Sequence, residues 1–138
     1  MRVVADTNIV VSGFLWYGNE RRLMDAARDG IIELCTSQML LDEFEDVLAR
    51  PKFSKRFEQK KIIRLAFVDE YAELAKIVLT ERLETFASRD PDDDEVLACA
   101  IAGGCEIIVT GDSDLLDLKH YRHIRILTTT ELLAELYL

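Results

Sequence analysis

Short apolar runs without polar alternation, separated by segments of helical period, constrain the fold of this chain most strongly. These largely apolar runs lie at residues 3–5, 31–35, 77–79, 107–109 and 124–127. A strand that faces water on one side alternates polar and apolar residues, whereas a strand of a parallel sheet is buried on both faces and does not. The pattern therefore predicts a three-layer α/β/α sandwich around a central parallel sheet, of the Rossmann-like class.

Helical segments fill the intervals between these runs. Helical spacing is present at residues 9–27, 37–50, 62–75, 92–104 and 132–138. Ser37 is placed to cap the second of these helices and Pro51 to end it, and Thr128 and Glu131 form a capping box before the last. No repeat, linker or low-complexity tract interrupts the pattern, so residues 1–138 are predicted to form a single domain.

The composition argues against membrane-spanning and disulfide-rich classes of protein. No apolar run approaches the roughly 20 residues that a membrane-crossing helix needs, and Asp6 interrupts the N-terminus before a secretory leader could form. Cys35, Cys99 and Cys105 form no C-x-x-C pair, and they are expected to be buried, reduced thiols. A cytoplasmic protein without a membrane partner is therefore expected.

Charge is unevenly distributed along the chain. The 17 Lys and Arg and 26 Asp and Glu give a net charge of −9, which by itself discourages binding to nucleic acid. Residues 50–64, termed the basic stretch, instead hold seven cations and one acid, a net charge of +6. The stretch is either a solvated helical face or a surface that holds phosphates. The RNA-binding residues that the second interpretation predicts are Arg50, Lys52, Lys55, Arg56, Lys60, Lys61 and Arg64.

Two aspartates come shortly after predicted strands. Asp6 follows the first apolar run directly, and Asp112 follows the strand at residues 107–110 with only Gly111 between them. The carboxyl ends of parallel strands lie at one edge of the sheet, where folds of this class bind ligands. Both carboxylates are therefore predicted to lie at the same edge.

Helical phase, the angular position of a residue around its helix, indicates which further carboxylates face the protein interior. In the fourth predicted helix only Asp93 lies on the inward stripe, whereas Asp92 and Asp94 flank it and are expected to be solvated or to favour the helix N-terminus. A helix N-cap is the alternative role for Asp92 or Asp93. In the second predicted helix, Glu43 and Glu45 occupy the two borders of the buried face. Phase alone leaves open which of these glutamates faces the strand ends.

Convergence of these acids would require a cation. Asp6, one of the two glutamates, Asp93 and Asp112 would repel one another unless a divalent ion neutralised them. A ligand set made only of oxygen atoms favours Mg²⁺ or Mn²⁺ over zinc. Such an ion can acidify a water molecule and stabilise a leaving oxygen in phosphodiester hydrolysis. The acids and the basic stretch together favour a metal-dependent enzyme that acts on nucleic acid.

Four stretches of the chain together resemble the PIN-domain family. They occur in the family's order and at suitable spacing, and the resemblance extends over nearly the whole chain. The stretches are VADTNIVVS at residues 4–12, LDEFEDVL at residues 41–48 shortly before Pro51, DPDDDEVLACA at residues 90–100 and VTGDSDLL at residues 109–116. Within the family, the chain is similar to the toxin components of prokaryotic toxin–antitoxin systems, which are related to the VapC-type ribonucleases.

The resemblance implies a PIN-like α/β/α sandwich and an endoribonuclease that depends on Mg²⁺ or Mn²⁺. It also implies a homodimer and an antitoxin protein as a partner, beside the RNA substrate. By similarity, Glu43 rather than Glu45 belongs to the site. The implied catalytic and metal-binding residues are Asp6, Glu43, Asp93 and Asp112. The implied supporting residues are Asn8, Thr110, Asp114 and Ser37, and helix capping is the preferred role for Ser37.

Two other functions compete with this one. An acid-cluster phosphatase also places an aspartate after its first strand, but usually a second follows two residues later, where this chain has Asn8. Such enzymes also carry a lysine after a late strand, where this chain has residues 128–130, all threonine. The second alternative is a non-catalytic module with a PIN-like fold, which would bind RNA or a protein partner through the basic stretch.

Overall fold

The computed structural model describes residues 1–51, 60–81 and 91–137, and at residues 60–62 and 91–93 it describes the backbone alone. The strands are β1 (Arg2–Ala5), β2 (Glu33–Thr36), β3 (Lys76–Ile77), β4 (Ile107–Val109), β5 (His120–Tyr121) and β6 (Ile124–Leu127). The helices are α1 (Thr7–Leu15), α2 (Asn19–Arg28), α3 (Gln38–Leu48), α4 (Lys60–Leu74), α5 (Pro91–Ala102), α6 (Ser113–Leu118) and α7 (Thr129–Leu136). Within these ranges, no helix has the length and apolar character needed to span a membrane.

The described strands form one sheet in the order β3-β2-β1-β4-β6-β5. Every neighbouring pair is parallel except β5 and β6, which are antiparallel. Each apolar run of the sequence contributes a strand, so the predicted central parallel sheet is confirmed, with the unpredicted strand β5 added antiparallel at its edge. The bounds move most at β2 and β3, which begin or end two residues from the predicted positions.

Both faces of the central strands are buried. Val3 and Ala5 of β1 belong to one apolar cluster and Val4 belongs to a second, and β4 alternates between the two clusters in the same way. Val3 and Val4 are 0% exposed and Ala5 is 4% exposed. Because neither face meets water, neither face carries polar residues, which explains the missing alternation.

Helices cover both faces of the sheet. The first cluster contains side chains of α1, α2, α3, α4 and α7, and the second contains side chains of α5 and α6 together with Leu40. The aromatic rings of Phe14 and Phe44 lie 5.5 Å apart in the first cluster, and Tyr71 of α4 packs edge-on against both. The predicted three-layer α/β/α sandwich is therefore confirmed.

The predicted helix caps are present. The Ser37 side chain accepts a hydrogen bond from the backbone N–H of Leu40 at 3.3 Å and begins α3. Thr128 and Glu131 make both hydrogen bonds of the capping box. The last helix begins at Thr129, three residues earlier than predicted, because the residues within the box already form its first turn.

The sequence does not predict α6 or β5. Helix α6 has six residues, which is too short for a helical period to be recognised. Strand β5 is bounded by Lys119 with φ 61° and Arg122 with φ 55°. Positive φ is uncommon for residues other than glycine, so the residue types at these turns do not indicate a hairpin.

The three cysteines are free and buried, as predicted. Burial raises the pKa of Cys99 to about 12, so this thiol is protonated at neutral pH. Cys99 packs in the second apolar cluster, where it acts as a small apolar side chain.

Gly13 allows α1 and α2 to approach closely, and replacing it should destabilise the fold. A Cβ atom added at Gly13 would lie 2.6 Å from Met24 Cγ and 3.0 Å from the backbone oxygen of Glu20. We expect Gly13→Ala to lower the free energy of unfolding by about 1 kcal/mol, because the overpacking outweighs the better helix propensity of alanine. Urea unfolding followed by circular dichroism measures this change.

The control for this variant is Gly111→Ala. A Cβ atom at Gly111 meets nothing within 4 Å, so its unfolding free energy should stay within about 0.5 kcal/mol of the wild-type value. Equal stability of the two variants would show that the α1–α2 contact tolerates a methyl group.

Candidate functional site

The carboxyl ends of β1 and β4 meet where the order of the sheet reverses. β2 and β3 lie on one side of β1, and β4, β6 and β5 lie on the other. Ala5 is paired with Val109, and the backbone N–H of Asp6 donates to the carbonyl of Val109 at 2.9 Å. Open parallel sheets bind ligands in the crevice at such a switch point. Asp6 therefore lies where the topology favours a ligand.

A buried hydroxyl links two aspartates across this point. Thr110 Oγ1 donates to Asp6 Oδ2 at 2.8 Å and accepts from the backbone N–H of Asp112 at 3.0 Å. Thr110 is 0% exposed, whereas Asp6 and Asp112 are half-buried. The structure thus brings Asp6 and Asp112 to one edge of the sheet, where the buried hydroxyl of Thr110 links them.

Asp6 and Asp112 each begin a helix. Asp6 Oδ1 accepts from the backbone N–H of Thr7 at 2.7 Å at the start of α1. Asp112 Oδ1 accepts from the backbone N–H of Asp114 at 2.9 Å at the start of α6. The exposed N–H groups and the dipole of a helix N-terminus favour a negative charge there. One oxygen of each carboxylate is therefore fixed in direction by the helix that follows it.

A third carboxylate reaches this edge from α3. Thr7 Oγ1 donates to Glu43 Oε2 at 2.9 Å. Glu43 is half-buried and Thr7 is 3% exposed. Glu45, at the other border of α3, makes no side-chain hydrogen bond within the described residues. Geometry therefore connects Glu43, and not Glu45, to the carboxylate of Asp6.

These contacts form one continuous chain of hydrogen bonds, termed the site network. It runs from Glu43 through Thr7 and Asp6 to Thr110 and Asp112. Its two threonines are buried and its three acids are half-buried. The acids therefore keep solvent access while neutral hydroxyl groups hold them from the protein side.

Asp93 lies in the first turn of α5, and its side chain is outside the described part of the chain. Because α5 packs on β1 and β4 and leads into the start of β4, its first turn lies toward the carboxyl ends of the strands. The helix begins at Pro91, a residue favoured at the first helical position. The N-cap alternative for Asp92 or Asp93 is therefore wrong.

The burial of Asp94 differs from the solvent exposure that the sequence allowed for it. The phase of α5 predicts that Asp94 is either solvated or placed to favour the helix N-terminus; Asp94 is 8% exposed, so the first alternative is wrong, whereas its position in the first turn agrees with the second. The residues that follow it at 96–100 are all buried. Because this helix is enclosed on nearly all sides, its flanks face protein rather than water, and phase does not separate inward from outward residues.

The supporting residues differ in their surroundings. Thr110 belongs to the site network, and Ser37 caps α3 at the end of β2. Asp114 is half-buried, and its backbone N–H donates to Asp112. Asn8 is exposed, and its side chain makes no hydrogen bond within the described ranges. The supporting role of Asn8 therefore stays a prediction.

Much of the basic stretch lies outside the described side chains. Arg50 is exposed, as an RNA-binding residue must be, but Arg64 is half-buried. The Nε atom of Arg64 is buried without a hydrogen-bond partner among the described residues, so this side chain is turned partly into the protein. The residues of the stretch whose side chains are not described are Lys52, Lys55, Arg56, Lys60 and Lys61.

The donor chemistry of the site fits a hard divalent cation. The acids of the site network offer oxygen atoms only, which Mg²⁺ and Mn²⁺ prefer. Among the side chains that the structure describes, no group of three or more His, Cys, Asp or Glu residues could hold a metal ion. Asp93 is not among those side chains, so its place in a ligand set with Asp6, Glu43 and Asp112 stays a prediction.

Sequence reasoning missed Thr7. Thr7 directly follows Asp6 and is the first residue of α1. It has two hydrogen-bond donors, a backbone N–H and a hydroxyl. The sequence places Thr7 in the VADTNIVVS stretch, but only the packing of α3 against α1 brings Glu43 within reach of its hydroxyl.

Comparisons with known proteins agree with this architecture. A profile of the PIN-domain family matches residues 2–114. The crystal structure of VapBC2 from Rickettsia felis bound to a DNA fragment from their promoter contains a chain of the same fold, with a TM-score of 0.60. The two chains are 14% identical, and the alignment covers 91% of this chain and 97% of that one. No curated protein sequence matches the chain.

Proposed function

The chain belongs to the PIN-domain family, and from that membership we propose that it is a nuclease that uses Mg²⁺ or Mn²⁺ to hydrolyse phosphodiester bonds of RNA. The observation that carries the proposal is the site network. It gathers Asp6, Glu43 and Asp112 from three separate parts of the chain at the switch point of the sheet. The catalytic residues of this proposal are these three acids and Asp93.

The concentration of negative charge supports a cation at this site. Like charges held close together destabilise one another, and helix capping accounts for Asp6 and Asp112 but not for Glu43. Neutral hydroxyl groups orient Asp6 and Glu43. The acids offer oxygen ligands of the kind that Mg²⁺ and Mn²⁺ prefer.

The chain's own residues would hold the ion and keep its ligands oriented. Asp6, Glu43, Asp93 and Asp112 are the residues that would bind it. A divalent ion bound here supplies a water molecule of lowered pKa and neutralises charge on the departing oxygen. Thr110 and the first N–H of α1 fix both oxygens of Asp6 in direction. Such preorganisation removes the need to reorient the carboxylate during the reaction.

RNA is the proposed substrate because the basic stretch is positively charged, whereas the rest of the chain is acidic. A segment with a net charge of +6 can hold the phosphates of a single strand. We also propose that the chain is the toxin of a toxin–antitoxin pair, acts in the cytoplasm as a homodimer and is blocked by an antitoxin protein. The four stretches similar to VapC-type ribonucleases support this, as does the fold shared with a VapBC2 chain.

A cleavage assay with metal control tests the proposal. We expect the purified protein to cut mixed RNA in Mn²⁺ or Mg²⁺, to be inactive in EDTA, and to recover when excess ion is added. A phosphate monoester and single-stranded DNA serve as control substrates in the same buffers. Hydrolysis of the monoester without cleavage of RNA would favour the phosphatase, and RNA binding without cleavage would favour the non-catalytic module.

A further inference from the structure

We propose that Thr7 is a positioning residue that sets the spacing of two acids of the site. Its backbone N–H donates to Asp6 Oδ1 at 2.7 Å, and its hydroxyl donates to Glu43 Oε2 at 2.9 Å. One residue therefore holds carboxylates that lie 37 positions apart in sequence. The inference rests on the proposed function, because the consequence of this spacing is the affinity for a divalent ion.

The geometry of Thr7 suits a rigid support. Thr7 is 3% exposed and begins α1, so both its backbone and its side chain are fixed by packing. A β-branched side chain has restricted rotation about χ1, whereas the longer glutamate side chain has several rotatable bonds. The hydroxyl of Thr7 therefore selects one orientation of the Glu43 carboxylate from many.

The chemistry of a hydroxyl also suits this role. A Lys or Arg donor would orient Glu43 equally well, but it would neutralise the charge that attracts a cation. A neutral hydroxyl occupies one lone pair of Oε2 and leaves the charge of the carboxylate unchanged. Partners of this kind, which orient a ligand without binding the ion, typically change metal affinity about 10- to 100-fold when they are removed.

Thr129 provides a matched control for a purely structural role. It is also a threonine at the first position of a helix after a parallel strand, and it is 4% exposed. The Thr129 hydroxyl has no hydrogen-bond partner among the described residues. Substitution of Thr7 or Thr129 by valine therefore removes a buried hydroxyl at equivalent positions, and only the first of them faces an acid of the site.

The test compares Thr7→Val, Thr7→Ser and Thr129→Val with the wild-type protein. We expect Thr7→Val to bind Mn²⁺ about 10- to 100-fold more weakly in calorimetric titration, and its kcat for RNA cleavage to fall while KM for RNA stays near the wild-type value. Thr7→Ser, which retains the hydroxyl, should restore Mn²⁺ affinity to within about threefold of wild type. Thr129→Val should bind Mn²⁺ as the wild-type protein does.

Each outcome decides the inference. Wild-type Mn²⁺ affinity in a folded Thr7→Val protein overturns it, and so does an equal loss in Thr7→Ser and Thr7→Val. If Thr7→Val does not fold, Thr7→Ala replaces it, because alanine removes the hydroxyl without adding a second γ-methyl group. Wild-type protein that neither binds Mn²⁺ nor cuts RNA overturns the proposed function as well, whereas an active enzyme with an unaffected Thr7→Val variant overturns only the role of Thr7.

Discussion

Asp6→Asn should reduce RNA cleavage at least about 100-fold, because it removes a proposed charged ligand of the ion while the shape of the side chain is kept. Asp6 is at the centre of the site network, with one oxygen on the N–H of Thr7 and the other on the hydroxyl of Thr110. An amide retains an oxygen for one of these partners, but it carries no charge to attract a cation. Cleavage kinetics at saturating Mn²⁺ measure the loss.

Thermal unfolding with Mn²⁺ gives a second measurement on the same variant. An ion that binds only the folded state, at 100 times its Kd, stabilises the wild-type protein by about 2.7 kcal/mol. The shift in melting temperature should be smaller in Asp6→Asn and unchanged in Asp42→Asn. Asp42 is an exposed acid on α3 whose side chain, within the described ranges, accepts a hydrogen bond from Gln38. Equal shifts in the wild-type protein and Asp6→Asn would count against a shared metal site.

RNA binding separates the nuclease from a non-catalytic module. The double variant Asp6→Asn with Asp93→Asn should lose cleavage and keep RNA affinity, because in the proposed function the basic stretch, and not the acids, would bind the phosphates. Expression of the wild-type chain should arrest bacterial growth, and expression of Asp6→Asn should not. Harmless expression of an enzyme that is active in the assay would remove the toxin role and leave the nuclease.

Phe44→Ala should cause the largest loss of stability. Phe44 is 1% exposed, and its ring lies 5.5 Å from Phe14 and 5.7 Å from Tyr71. Removing a buried phenyl ring leaves a cavity where α1, α3 and α4 meet and typically costs about 3 to 5 kcal/mol. Since a domain is stable by about 5 to 15 kcal/mol in total, much of the stability would be lost. Guanidinium unfolding measures the change.

Met39→Ala is the control on the same helix. Met39 is also a large apolar residue of α3, but it is 57% exposed. Its replacement should change the free energy of unfolding by less than about 0.5 kcal/mol. Similar losses in the two variants would mean that Phe44 does not join the helices into one core.

Much of the fold could be predicted because buried strands require apolar residues, which can be recognised in the sequence. The runs at β4 and β6 have the predicted bounds. β4 is buried on both faces and is apolar at every position, whereas β6 departs from this pattern at the exposed Arg125. The caps at Ser37 and Thr128 could also be predicted, because a cap is a local hydrogen bond between residues two or three apart. The pattern of apolar residues does not predict elements as short as α6, and residue type does not predict the turns with positive φ at Lys119 and Arg122.

The candidate site could be predicted in part. Strand ends and topology bring Asp6 and Asp112 to one edge, and helical phase narrows the acid of α3 to two glutamates. Phase could not choose between Glu43 and Glu45, because that choice depends on how α3 packs against α1. Phase was wrong about solvent exposure of Asp94, because it assumes that one side of the helix faces water, whereas protein surrounds this helix on nearly all sides.

By itself, the sequence determined the layers, the caps and the edge of the sheet that holds the acids, because these depend on local hydrogen bonds and on which residues avoid water. Tertiary structure alone decided which acids share partners: the hydroxyls of Thr7 and Thr110 connect Glu43, Asp6 and Asp112 over distances in sequence that no local pattern encodes. A hydrogen bond between side chains depends on positions to within a few tenths of an ångström. Only the packed helices and strands set positions so finely.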